Sequence, residues 1–167
     1  MKLEAINKAL YQERRSRIQW AMVAGLFVTS LGFAELYRYL FVGGESSLAL
    51  NAAGVATGVA IVTFVLFRLR DSEYFMEVNY VWKLKQELNR IYRASKKLDQ
   101  ALEEGTAEAL TIKLFSLEGS RQVYDLDDNT LTMSELVKEL DALKERIEEA
   151  GLTISPDDYR PGLLERL

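Results

Sequence analysis

Apolar and charged side chains occupy different parts of this chain. Residues 20–67 are almost entirely uncharged and apolar, and nearly all the charge lies outside them. Charged groups are costly in hydrocarbon and apolar groups are not, so this segregation is the pattern a bilayer imposes. Residues 20–42 form a run of about 23 residues, worth ~34 Å of helix, interrupted only by Glu35 and Arg38. Residues 48–67 form a second run without any charge, bounded by Arg68 and Arg70. Gly43, Gly44, Glu45, Ser46 and Ser47 between them are a turn-forming loop, which predicts a tight antiparallel hairpin of two transmembrane helices.

The period changes after the second run. No Gly or Pro occurs between Gly58 and Gly105, so a helix is expected to continue out of the span, with a bend at Asp71 and Ser72. From Val81 the apolar positions Val81, Leu84, Leu88, Ile91, Leu98 and Leu102 follow spacings of three and four, with Ser95 filling one slot. This is a heptad stripe of the coiled-coil kind, ending at Gly105. Thr106 is placed to cap a second helix over residues 107–125, carrying Leu110, Leu114, Leu117 and Val123. Thr132, Met133, Ser134 and Glu135 read as a capping box opening a third helix with Leu136, Leu140, Leu143 and Ile147, which ends at Gly151. The expected fold is all-α: a transmembrane hairpin followed by an antiparallel three-helix bundle. The corresponding division is 1–18 as an amphipathic N-terminal segment, 19–70 as the hairpin and 71–167 as the helical domain. The tail from residue 152, which holds both prolines, is expected to pack along the bundle as turns and a short helix.

Two features of the spans carry candidate roles. Gly54 and Gly58 form a GxxxG, with Ala52, Ala56 and Ala60 on a neighbouring face. Small residues at this spacing let backbones approach closely, either within the hairpin against Ala21, Gly25 or Gly32, or between two copies of the chain. Glu35 and Arg38 are three apart and can pair on one helical face, which lowers the cost of both; the alternative is an ion or proton path.

Charge then sets orientation and narrows the chemistry. Lys2, Lys8, Arg14, Arg15 and Arg17 precede the first run, and Arg68, Arg70, Lys83 and Lys85 follow the second, while the loop has no Lys or Arg. Both ends are therefore expected in the cytoplasm and the loop outside. The first run has a long charged leader and no small-residue cleavage site after it, which favours an uncleaved anchor over a signal peptide. The chain has no Cys and no His, which excludes disulfides, thiolate nucleophiles, thiolate or imidazole metal sites and His-based acid–base steps. Its net charge of −4 does not point to nucleic acid. No spacing marks a catalytic pair, a cofactor or a small-molecule substrate.

Within residues 83–97 there are six basic residues, Lys83, Lys85, Arg90, Arg93, Lys96 and Lys97, against Glu87 alone. Residues 103–149 carry thirteen acidic residues against five basic ones. The two segments can attract each other, with modest benefit for exposed pairs. Alternatively the basic helix, with Tyr80, Trp82 and Tyr92, lies against anionic lipid headgroups. Asp125, Asp127 and Asn129 match the first, third and fifth places of a calcium loop, but Thr130 and Leu136 stand where its glycine and its last carboxylate are required, so a solvated acidic turn is the default.

Several stretches are familiar: the opening Met1-Lys2-Leu3-Glu4-Ala5-Ile6-Asn7-Lys8, then Tyr80-Val81-Trp82-Lys83-Leu84-Lys85, Leu88-Asn89-Arg90-Ile91-Tyr92 and Leu126-Asp127-Asp128-Asn129-Thr130-Leu131. They resemble a family of two-span bacterial inner-membrane proteins known only as a domain of unknown function. The resemblance covers most of the chain and implies a bacterial inner membrane. It brings no catalytic or binding residues. The expected function is a non-enzymatic, membrane-anchored interaction or scaffold module contacting membrane lipid and a protein partner or further copies of itself. The alternative is a small oligomeric transport or channel component, assembled through Gly54 and Gly58 with Glu35 and Arg38 lining a path.

Overall fold

The computed structural model describes residues 1–45 and 47–167, and among these the regular structure is entirely helical. Six α-helices follow one another: α1 (Lys8–Val42), α2 (Leu48–Leu69), α3 (Met76–Arg93), α4 (Ser95–Glu103), α5 (Ala107–Leu126) and α6 (Met133–Glu149). The chain forms two compact units, Ala9–Asn79 and a second made of Met1–Lys8 with Tyr80–Leu167, so the first eight residues belong with the C-terminal helices.

The first unit holds the hairpin. α1 and α2 are long and apolar enough to cross a membrane, and within their most apolar windows only 6% and 11% of residues are buried. Trp20, Phe27, Phe41 and Leu48 are among the apolar side chains left facing outward. α1 ends on Gly43, whose φ of 61° is the left-handed conformation that stops a helix, and the Gly44 amide reaches back to the Arg38 carbonyl at 3.0 Å. The sequence-predicted loop therefore begins as expected; Ser46, its fourth residue, lies outside the described residues. Beyond α2 the helix does not simply bend. It stops at Leu69, and residues Glu73–Phe75 make one 3₁₀ turn before α3 begins. Arg14 of α1 closes this corner: it donates to the Glu73 carbonyl at 2.9 Å, pairs with the buried Glu77 and lies over the Tyr74 ring.

The second unit is built on α5. Thr106 caps it by accepting from the Ala109 amide, an arrangement worth about 1 kcal/mol. Leu110, Leu114 and Leu117 pack on Leu140, Leu143 and Ile147 of the antiparallel α6, and Leu102, Leu136, Leu152 and Ile154 close around them. Leu84 and Leu88 of α3 reach Gly119 on another side of α5. The tail covers what remains: Tyr159 is fully buried with its ring stacked on Phe115 at 4.1 Å. Hence α5 is buried nearly all round, including Ile112, which lies off the predicted apolar stripe.

Two local expectations are corrected. The heptad stripe is not one helix: the backbone turns at Ala94, with φ −93° and ψ 6°, and α4 starts afresh at Ser95. The polar Ser95 gives the stripe no apolar anchor at that slot, and the break lets Leu98 be buried and Leu102 join the α5–α6 cluster. Thr132 opens α6 but makes no side-chain cap bond, so the expected capping box is not formed. The box occurs instead at Ser155, whose side chain accepts from the Asp157 amide at 3.2 Å while Asp158 accepts from the Ser155 amide at 2.9 Å.

Candidate functional site

The sequence-selected residues fall in two places, one in each unit. In the hairpin, Gly54 and Gly58 are buried against α1 of the same chain. A Cβ at Gly54 would come within 2.5 Å of the Ala34 amide nitrogen, and one at Gly58 within 2.5 Å of the Ser30 hydroxyl. The partners are thus Ser30 and Ala34, themselves a small-xxx-small pair, rather than Ala21, Gly25 or Gly32. A Cβ at Gly25 would meet Val62 at an ordinary 3.5 Å, and nothing lies within 4 Å of one at Gly32. Close backbone contact is what replaces the hydrophobic drive where the surroundings are apolar. Tyr37 and Thr57 add a hydroxyl pair across the helices at 3.0 Å.

Glu35 and Arg38 pair at 2.9 Å, and the same guanidinium donates to the Gly44 carbonyl at 2.9 Å. Arg38 therefore joins the last turn of α1 to the loop that follows it. Glu35 is mostly exposed, at 69% of its side chain. The pair sits at the loop end of α1.

In the second unit the basic residues point away from the core of α3 and α4. Val81, Leu84, Ile91 and Leu98 are buried, whereas Trp82, Lys83, Lys85, Arg90, Tyr92, Arg93, Lys96 and Lys97 are exposed. Two of the cations are engaged: Lys85 with Asp127 at 2.5 Å, and Arg90 with Glu165 at 3.2 Å. Trp82 and Tyr92 are 56% and 77% exposed, well beyond what packing within the unit would leave for large rings. The arrangement is a face of positive charge with two aromatic side chains standing out of it.

The acidic turn after α5 is where other cations end. Asp125 and Asp128 both hold Lys8, at 3.2 and 2.7 Å, and Asp127 holds Lys85. The hydrogen bond that Lys8 donates to Asp128 is the main reason its ammonium is held above its ordinary pKa. No group of carboxylates suited to a metal ion occurs among the described residues.

Three polar contacts escape any reading of periodicity. Tyr80 is tied to Glu4 and Gln122, Tyr159 donates to Glu87 at 2.5 Å, and Arg14 pairs with Glu77. Burial, then the Glu87 carboxylate, pushes the Tyr159 hydroxyl far above its usual pKa; burial also raises that of Tyr80. The Ser-x-x-Asp at residues 155–158 was the one sequence signal that could have announced the turn presenting Tyr159.

A long apolar helical hairpin carrying a compact helical unit is the class of protein that this fold defines. The chain belongs to the DUF3087 family, described as a protein of unknown function, whose model matches residues 1–164 and so takes in both the docked N-terminal segment and Tyr159. No curated protein and no solved structure matches the chain.

Proposed function

We propose that this protein is a non-enzymatic, membrane-anchored interaction module of the bacterial inner membrane. In this reading the hairpin spans the bilayer and the compact unit lies in the cytoplasm, where its α3–α4 face rests on anionic headgroups and another face binds a protein. The observation that carries it is the contrast between the two units. One leaves many large apolar side chains such as Phe27 and Leu48 facing outward, and the other buries most of its apolar residues and turns a basic, aromatic-bearing face out. Exposed apolar surface on that scale needs a non-aqueous neighbour.

Two facts support the orientation. The excess of Lys and Arg flanks the hairpin on both sides and is missing from its loop. Residues Met1–Lys8 also fold into the same unit as Tyr80–Leu167, which suits a hairpin whose two ends emerge on one side. Lys83 and Lys85 stand within about 20 residues of the end of α2, the range over which juxtamembrane charge acts.

The test is purification of the full-length protein from its native membrane in lipid nanodiscs, followed by mass spectrometry. A second protein retained near equal stoichiometry is the expected result. Release of the protein from membranes by alkaline carbonate would remove the anchoring, and recovery with no partner would remove the adaptor role.

A further inference from the structure

The end of the hairpin away from its loop opens into an apolar groove of about 480 Å³. It is lined by Ala21, Met22 and Gly25 of α1, by Val62, Val65 and Leu66 of α2, and by Phe75 and Arg17. At Gly54 and Gly58 the two helices approach closely, and the groove lies nearer their other end, where Met22 and Leu66 stand. The volume lies within the range of ~300–1,000 Å³ typical of sites for small organic ligands.

We propose that this groove binds one acyl chain of an anionic phospholipid, with its phosphate held by Arg17. The proposal rests on the reading that the hairpin lies in a bilayer. The occupant follows from the two chemistries that the groove joins. Its lining is mostly apolar, and it includes the cation Arg17, whose side chain is 67% exposed, at the end of the hairpin that also carries Arg14, Arg15, Arg68 and Arg70. An apolar tail with an anionic head complements both. Arg17 is available for this role. Its bridge to Glu13, 2.6 Å long, joins side chains that are 67% and 53% exposed, so it contributes little. A phosphate offers the guanidinium a stronger bidentate partner. Arg14, by contrast, is committed to Glu77 and Glu73 and does not compete.

The experiment uses the full-length protein in nanodiscs of phosphatidylcholine with phosphatidylglycerol, released and weighed by native mass spectrometry. The expected result is one retained phosphatidylglycerol, preferred about fivefold over phosphatidylcholine, the effect of one well-placed charge. Arg17→Gln is expected to abolish the preference while retention continues. Ala21→Phe, and separately Val62→Phe, are expected to fill the groove and abolish retention with unchanged helical circular dichroism. Retention that survives both filling variants would overturn the proposal, as would a wild-type protein carrying no lipid or a second copy of itself in the groove. Failure of the protein to enter nanodiscs at all would instead strike the membrane reading, so the two failures are told apart.

Discussion

The hydroxyl of Tyr80 accepts from the Glu4 amide at 2.8 Å, seventy-six positions earlier in the chain. It donates its own hydrogen bond to the Gln122 side-chain oxygen at 2.9 Å, and Gln122 donates back to the Glu4 carbonyl at 2.5 Å. The ring of three bonds is closed, so both backbone groups of Glu4 are satisfied by side chains. Leu3 against Gly119 and Lys8 on the acidic turn hold the segment on either side of it.

Tyr80→Phe deletes two of these bonds at once. The expected cost is about 1–2 kcal/mol, shared between the lost bonds and the Glu4 amide left without a partner. Faster hydrogen exchange at Glu4, and faster trypsin cleavage after Lys2 and Lys8, would show it. An unchanged exchange rate at Glu4 would mean that Leu3 and Lys8 hold the segment by themselves.

Tyr159 makes the second unit sensitive to high pH. Its hydroxyl has a pKa raised above the ordinary 10.0, first by burial and then by Glu87. In the unfolded chain it loses its proton near that ordinary value, while the folded chain keeps it. Stability is therefore full below about pH 10 and falls as pH rises past it. Tyr80, shifted the same way, adds to the fall. Urea titrations of the full-length protein in nanodiscs, followed by exchange of α5 amides, are expected to show this decline. In Tyr159→Phe the decline should be shallower, at a cost of about 2 kcal/mol at neutral pH for the lost bond to a carboxylate.

The glycines of the hairpin are expected to differ sharply in tolerance. Gly54→Leu and Gly58→Leu force a side chain into α1 backbone or the Ser30 hydroxyl and must push the helices apart, at about 1–3 kcal/mol each. Gly32→Leu meets open space and should change little. Because the native chain has no cysteine, an introduced pair at Gly25 and Val62, where a Cβ on Gly25 would lie 3.5 Å from the Val62 side chain, reports helix separation directly through its crosslinking yield. Equal yields in the Gly54→Leu and Gly32→Leu backgrounds would contradict the close contact.

The basic face is tested by charge and by light. In a Trp20→Phe background, Trp82 is the one remaining tryptophan. Its emission is expected to shift to the blue in anionic nanodiscs and to return toward the neutral-lipid value in high salt. Changing Lys83, Arg93, Lys96 and Lys97 to Gln removes about 1 kcal/mol of surface attraction per charge and should abolish the shift. A shift that survives both treatments would assign Trp82 to a protein contact instead.

Much of this was legible in the sequence because it depends on local pattern. Two uncharged runs of span length, a glycine turn and stripes spaced by three and four residues are properties of neighbouring residues, and helices follow from them directly. The Thr106 cap, the end of α1 and the bounds of α2, α5 and α6 came from the same kind of signal, whereas the start of α1 at Lys8 did not. Other features depended on which elements meet. Gly54 and Gly58 announced a close approach, but only packing chose Ser30 and Ala34 as partners, since a GxxxG specifies spacing and not what lies opposite. The break at Ala94 has neither glycine nor proline to mark it; it arises because Leu98 and Leu102 are drawn toward α5 and α6 once those helices are in place. The docking of Glu4 on Tyr80, of Lys8 on Asp128 and of Tyr159 on Phe115 joins residues far apart in the chain, and no periodicity carries such information. Short-range order was fixed by side-chain pattern, while the polar ties and the groove between α1 and α2 were decided by long-range contacts whose energies exist only in the folded chain.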